Sequence, residues 1–276
     1  MYHLGLIGYP ITHSKSPQIH HHFLSEAGLS GRYQLVELEP HEIEAFLTSE
    51  ASNHYHGLNV TAPYKEKVIP FLDQLDPLAE KMKAVNTIHL MNGKRIGYNT
   101  DGIGYVEALR QAKPHFFSIP SPKILILGAG GAAKGIAYAF DQYGDYTIDI
   151  ANRTIAKAQT IADHLKRSKA IRLTEAERSL SAYDLIIQTT TVGMEPDSEG
   201  QIVSLEHAHP ETIVSDIIYH PAWTNLLKQA HQRGMPTVHG MDMLIMQAAK
   251  AFEIWTGHRP RVNAINRLKE RLHVDQ

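Results

Sequence analysis

Apolar runs and amphipathic stretches alternate through nearly the whole chain. HLGLIGY (3–9) reads as a strand, and SPQIHHHFLSEAGL as a helix that Ser16 and Pro17 open and Gly28 closes. RYQLVEL (32–38) predicts a second strand and HEIEAFLTS a second helix. YHGLNV (55–60) predicts a third strand, broken by TAPYK. Helical segments follow around 64–72, opened by Pro63, and around 76–83. VNTIHLMNGKRIGYNTD reads as a hairpin, because Asn92-Gly93 is a strong tight-turn signal. After Gly102 a helix leads into HFFSIPSP, whose Pro and Ser mark a linker.

KILILGAGGAAKGIAYAF then reads as a buried strand, a glycine turn and a helix. YTIDIAN, DLIIQT and TIVSDII supply further strands with helices between them, and Met241 to about His273 is helical, interrupted at GHRP. Strand–helix alternation of this kind predicts an α/β protein, its sheets mostly parallel and covered by helices.

Composition narrows this picture. With 276 residues, 43% of them hydrophobic, the chain suits two compact domains better than one. Lys+Arg number 27 against 29 Asp+Glu, and no long basic run favours nucleic acid or a membrane surface. The absence of Cys excludes disulfides, thiolate metal sites and a thiolate nucleophile. The first residues lack the pattern of a signal peptide, and no apolar run approaches the ~20 residues of a membrane span. A soluble, cytoplasmic protein is expected.

The 18 His invite a metal reading. His20, His21 and His22 are consecutive on a predicted helix and point different ways, so they cannot converge on one ion. His13, His54 and His56 lie in short polar segments without metal-ligand spacing. Solvated or locally hydrogen-bonded histidines and no metal are expected.

GAGGAAKG at 128–135 follows a strand directly and opens a helix, a variant of the GxGxxG/A turn. Gly128 permits the tight turn, Gly130 lets backbone approach a pyrophosphate, and Ala133 permits close helix–strand packing. The helix N-terminus offers free N–H groups and a positive dipole end to phosphates. A structural turn is the plainer alternative. An NAD site usually places an acid about 20 residues on, at the end of the second strand. Asp149 has that spacing but falls inside YTIDIAN, and the strand ends at Asn152, Arg153 and Thr154. A guanidinium beside two neutral polar groups suits a 2′-phosphate, hence NADP(H). Otherwise Arg153 is a surface residue and Thr154 a helix cap.

Four polar clusters end apolar runs in the first hundred residues: THSKS (12–16), NVTAPYK (59–65), NT (86–87) and NTD (99–101). In a parallel α/β domain the carboxyl ends of strands share one crevice. That would gather Ser14, Ser16, Asn59, Thr61, Lys65, Asn86 and Asp101 around a polyhydroxylated ligand. Singly, each is better explained as a cap or turn residue, Ser16 and Asp101 especially; as a set they are hard to explain that way.

With these motifs in view, the chain resembles the shikimate dehydrogenase family. The resemblance rests on YPITHSKSP (9–17), NVTAPYKE (59–66), AVNT (84–87), NTDG (99–102), GAGGAAKG, NRT (152–154), TTTVGM (189–194), DIIYHPAWT (216–224) and GMDMLIMQAAKAFEIWTG (240–257), in order along nearly the whole chain. It implies NADP-dependent interconversion of 3-dehydroshikimate and shikimate in aromatic biosynthesis. Lys65 and Asp101 would be the catalytic pair. Ser14, Ser16, Asn59, Thr61, Asn86, Tyr219 and Gln247 would join them around the substrate. Gly128, Ala129, Gly130, Gly131, Ala132, Asn152, Arg153, Thr154, Ile217 and Gly240 would meet the cofactor. The implied fold has an N-terminal substrate domain (1–102, completed by 239–276) and a Rossmann-like NADP-binding domain (103–238). Small molecules would be the partners, without nucleic acid or membrane, and the protein would act as a monomer or homodimer. The family often has Asn before its paired threonines, where this chain carries Gln188; the longer side chain bears on the local turn, not on a catalytic group.

Overall fold

The computed structural model describes residues 1–274, which fall into two units: Met1–Asp101 with Gln247–Arg271, and Gly102–Met246 with the chain from Leu272. The first unit contains β1 (Tyr2–Gly8), α1 (Ser16–Glu26), β2 (Gly31–Glu37), α2 (Ile43–Thr48), α3 (Glu50–Asn53), β3 (Gly57–Val60), β4 (Gln74–Leu75), α4 (Pro77–Met82), β5 (Thr87–Met91) and β6 (Lys94–Tyr98). The second runs through α5 (Asp101–Ala112), β7 (Lys123–Leu127), α6 (Gly131–Tyr143), β8 (Thr147–Ala151), α7 (Ile155–Ala162), β9 (Ser168–Ile171), α8 (Leu173–Arg178), β10 (Leu185–Gln188), β11 (Ile213–Asp216), α9 (Asn225–Gln232) and β12 (Thr237–Val238). The unit boundary then falls inside α10 (Gly240–Thr256), and α11 (Val262–Val274) follows.

The first sheet is six-stranded, in the order β2-β1-β3-β5-β6-β4. β1 runs parallel to β2 and β3, while β5 is antiparallel to both β3 and β6. The hairpin turns at Asn92 and Gly93, both at positive φ, as the Asn-Gly pair requires. Alternation along β1 sends Leu4 and Leu6 to one face and Ile7 to the other. Leu4 and Leu6 join Tyr33, Ala251 and Trp255, and Trp255 Nε1 donates to the Ile88 carbonyl at 2.9 Å. The last helical stretch thus completes the first unit's core.

The second sheet, β12-β11-β10-β7-β8-β9, is parallel at every pairing. Both of its faces are covered, so Ile124 and Ile126 of β7 enter one core and Leu125 and Leu127 the other. This explains why KILIL is apolar without alternation. No helix among the described residues is long and apolar enough to cross a membrane.

Several local expectations are corrected. Residues 64–72 are not a helix: Pro70 lacks the N–H a helix interior needs, and the chain passes through turns with a 3₁₀ turn at Ile69–Phe71. Pro63 lies in the turn before it and opens no helix. The expected 41–49 helix is present as α2 and stops at Ser49, whose backbone is extended, and a further short helix, α3, follows it. HFFSIPSP is no loose linker, because Phe116 is fully buried within a 3₁₀ turn and packs in one core with Leu109 and Phe140. His20 is neither solvated nor hydrogen-bonded: its ring is buried and stacks on Tyr33 at 4.4 Å, with both nitrogens unpartnered. Burial drives its pKa down to about 3, and the Asn59 amide offsets little of that. Its neighbours are hydrogen-bonded, but to residues distant in the chain: His21 Nε2 accepts from the Tyr33 N–H at 3.1 Å, and His22 Nε2 meets the Ala264 carbonyl at 2.9 Å.

Candidate active site

Strand order brings the first unit's polar clusters to one edge. Thr61 and Lys65 follow the carboxyl end of β3. Asn86 immediately precedes the antiparallel β5, and Asp101 follows β6, so both lie at that same end. Backbone bonds fix the edge: the Val60 N–H donates to the Asn86 carbonyl, and the Asn86 N–H to the Tyr98 carbonyl.

Lys65 Nζ lies 2.6 Å from Asp101 Oδ2, and the other carboxylate oxygen accepts from Asn86 Nδ2 at 2.7 Å. The Lys65 side chain is 26% exposed and that of Asp101 8%, so the pair has one face toward solvent and one toward the interior. Asp101 is the first residue of α5, and both carboxylate oxygens are engaged by side chains. Its own N–H donates to Asn99 Oδ1 at 3.1 Å.

A hydrogen-bond network holds the pair from behind. Asn86 Oδ1 accepts from the Thr100 N–H at 2.8 Å and from the Thr87 hydroxyl at 2.9 Å. Asn59 donates to the Asn86 carbonyl and Thr87 Oγ1, and its Oδ1 accepts from the Tyr33 hydroxyl at 2.7 Å. Both amide hydrogens of Asn59 are thus spent inside the protein, leaving only an Oδ1 lone pair for a ligand. Thr100 and Thr87 stood within the NTD and NT clusters, but Tyr33, on a distant strand, carried no signal in the sequence. Gln247 lies 3.5 Å from the Thr100 hydroxyl. Ser14 and Ser16 form a separate pair after β1, their hydroxyls 3.1 Å apart, with Ser14 Oγ accepting from the Ser16 N–H at 3.2 Å. Ser16 caps nothing, since the residue at the N-cap of α1 is Lys15.

In the second unit, Gly128 has φ +117°, and a Cβ there would lie 2.5 Å from Thr189 Oγ1, so the turn between β7 and α6 requires glycine. At Gly130 and Gly131 a Cβ would meet nothing within 4 Å. The first turn of the 13-residue helix α6 therefore opens onto free space, with N–H groups that have no acceptor within the helix. That donor set fits a pyrophosphate.

At the end of β8, Arg153 and Thr154 are exposed and Asn152 Nδ2 donates to the Thr154 carbonyl at 2.9 Å. Thr154 occupies the N-cap position of α7 without a side-chain cap bond. Asp149 is 5% exposed inside the strand, bonded by the Tyr183 hydroxyl at 2.8 Å and 3.8 Å from Lys169 Nζ. Its carboxylate is committed to the interior. No acid takes the position of a ribose ligand, and the free groups there suit a 2′-phosphate.

Gln188 ties the loop after β10: its Oε1 accepts from the Thr190 N–H and hydroxyl, and its Nε2 donates to the Val192 carbonyl at 2.8 Å. The longer side chain thus spans a four-residue turn. Ile217 and Tyr219 follow β11 half-buried, and Gly240 is buried at the start of α10. Among the described residues no group of three or more His, Asp or Glu is disposed to hold a metal ion.

Comparison with known proteins gives one consistent result. Residues 6–88 match the shikimate dehydrogenase substrate binding domain, 110–217 the shikimate / quinate 5-dehydrogenase model, and 240–268 the shikimate 5'-dehydrogenase C-terminal domain. The shikimate dehydrogenase (NADP(+)) of Oceanobacillus iheyensis is 47% identical over 265 residues, covering 95% of each chain. That of Geobacillus kaustophilus is 44% identical over 266 residues, covering 96% of each. The crystal structure of Thermus thermophilus shikimate 5-dehydrogenase in complex with NADP(H) and shikimate superposes with a TM-score of 0.87. Its identity is 32%, and the match covers 99% of this chain and 100% of that one. On these grounds this chain belongs to the shikimate dehydrogenase family.

Proposed function

We propose that the chain catalyses the reversible, NADPH-dependent reduction of 3-dehydroshikimate to shikimate, in the cytoplasm and as part of aromatic amino acid biosynthesis. The observation that carries this reading is the contact of Lys65 with Asp101 at 2.6 Å, backed by Asn86, in a chain of this family. The first unit holds the substrate and the second the cofactor. NADPH, when bound, supplies the hydride.

Reduction of the 3-ketone builds negative charge on its oxygen, and the Lys65 ammonium stabilises that oxygen and then protonates it. In the oxidative direction a neutral Lys65 removes the hydroxyl proton. Asp101 holds the ammonium in place through one oxygen, and Asn86 fixes the other, so the carboxylate cannot rotate away. Ser14 and Ser16 bind the substrate carboxylate. Thr61, Asn86, Tyr219, Gln247 and the free Oδ1 lone pair of Asn59 read its hydroxyls. Gly128 through Ala132 hold the pyrophosphate, Asn152, Arg153 and Thr154 the 2′-phosphate, and Ile217 and Gly240 the nicotinamide end. The partners are small molecules only, with the chain a monomer or homodimer.

The test is absorbance at the nicotinamide band with shikimate or quinate and NADP⁺ or NAD⁺. Rapid turnover of shikimate with NADP⁺ is expected. A preference for quinate or for NAD⁺ would overturn the assignment.

A further inference from the structure

Asp216, the last residue of β11, is 1% exposed and has no part in the chemistry above. Its Oδ1 accepts from the Ile218 N–H at 2.9 Å, and its Oδ2 from the Thr224 hydroxyl at 2.7 Å. The two partners stand at opposite ends of the 217–224 loop, which carries Ile217 and Tyr219. Thr224 is also the N-cap of α9, where its Oγ1 accepts from the Leu227 N–H.

Other groups pin the same loop. The Ile217 N–H donates to the Gln188 carbonyl at 3.1 Å, and His239 Nδ1 meets the Ala222 carbonyl at 2.9 Å. A Cβ on Gly240 would come within 2.3 Å of the Ile217 carbonyl oxygen, so the start of α10 presses directly on this backbone. We propose that Asp216 is a positioning residue, a clasp between the two ends of the 217–224 loop that sets where Ile217 and Tyr219 stand during the reaction. The inference rests on the reading of Ile217 and Tyr219 as ligand contacts.

The choice of carboxylate supports it. Two donors approach from different directions, and a carboxylate can accept from both, whereas an Asn has a single acceptor oxygen. Keeping a carboxylate here is unfavourable, because neither partner carries charge, and burial pushes its pKa up to about 7. The Tyr105 hydroxyl of α5 is a titratable group close enough to feel this charge.

The experiment compares the full chain with Asp216→Ala, Asp216→Asn and Thr224→Val. Shikimate oxidation is followed by kcat and KM, and binding of 2′,5′-ADP by calorimetry. That probe carries the adenosine, the 2′-phosphate and a 5′-phosphate without nicotinamide, so it reports the Arg153 and glycine-turn end of the site and not the nicotinamide end. Asp216→Ala should lower kcat/KM for shikimate roughly tenfold to a hundredfold, as expected when a positioned group is misplaced. Asp216→Asn and Thr224→Val should each lose less, since each keeps part of the clasp, and they carry the test should the Ala variant not fold. Affinity for 2′,5′-ADP should stay unchanged in all three. Unaltered kcat/KM in every variant, or 2′,5′-ADP binding that weakens in step with it, would overturn the proposal. Lack of shikimate oxidation by the unaltered chain would instead overturn the reading beneath it.

Discussion

Asp101 in the first unit and Asp216 in the second are buried in opposite ways. The first surrounds Asp101 with an ammonium and an amide, and leaves its buried base, His20, neutral against an aromatic ring. The second buries Asp216 more deeply and gives it only a backbone N–H and a hydroxyl. The lesson lies in the partner. A carboxylate matched by an ammonium can hold a proton donor at a reacting atom, whereas one matched by neutral dipoles fixes backbone and has its desolvation cost only partly offset.

Removing the ammonium breaks the comparison hardest. Lys65→Ala should cut turnover by ~10²–10⁴, equivalent to roughly 3–5 kcal/mol of barrier. Shikimate affinity by calorimetry should suffer less, because the hydroxyl and amide contacts remain. Asp101→Asn should also impair turnover, and the double variant should lose less than the two single losses combined. Near-normal turnover in Lys65→Ala would remove it as the proton donor.

Stability against pH should separate the two buried groups by sign. The folded pKa of His20, about 3, lies below its ordinary 6.5. The unfolded chain therefore binds the extra proton, and stability is lost as pH falls from 6.5 toward 3. The folded pKa of Asp216, about 7, lies above 3.8. Here the folded state binds the extra proton, and stability is lost as pH rises from 3.8 toward 7. Each effect has an upper bound of roughly 4–5 kcal/mol. Urea unfolding across this range should show His20→Phe relieving the acid-side loss and Asp216→Asn the loss toward neutrality. The same slope in wild type and variant would mean that the group does not titrate as its burial requires.

Arg153→Ala sharpens the contrast at the cofactor. Loss of a charge-assisted bond should weaken NADPH roughly tenfold to a hundredfold and leave NADH nearly unchanged. Equal weakening of both would refute the 2′-phosphate contact. Smallest of all, Ser14→Ala and Ser16→Ala should raise the Michaelis constant for shikimate without altering cofactor affinity. A change in melting temperature alone would return the serine concerned to a turn role.

The strand, turn and helix at 123–143 could be read from sequence because each step has its own chemistry: an apolar run, a glycine at positive φ and an uncapped helix start. The polar clusters at strand ends were visible for a similar reason, since they interrupt apolar runs. Tyr33, His20 and Asp216 were not, because each sits within an ordinary strand or helix pattern and acquires its role only from residues distant in the chain. The turns at 64–72 read as a helix because apolar spacing there mimics one, while Pro70 forbids it. β4 and β12, two residues each, are too short for any periodicity to register.

The docking of Trp255 and Ala251 on Leu4, Leu6 and Tyr33 also sets a timetable for synthesis. Residues 102–246, the bulk of the other unit, must be synthesised before that covering stretch is made. At ordinary elongation rates this takes roughly ten to thirty seconds. For that interval α1 is the part of this face's cover already made, and the apolar side chains that meet Ala251 and Trp255 wait for theirs.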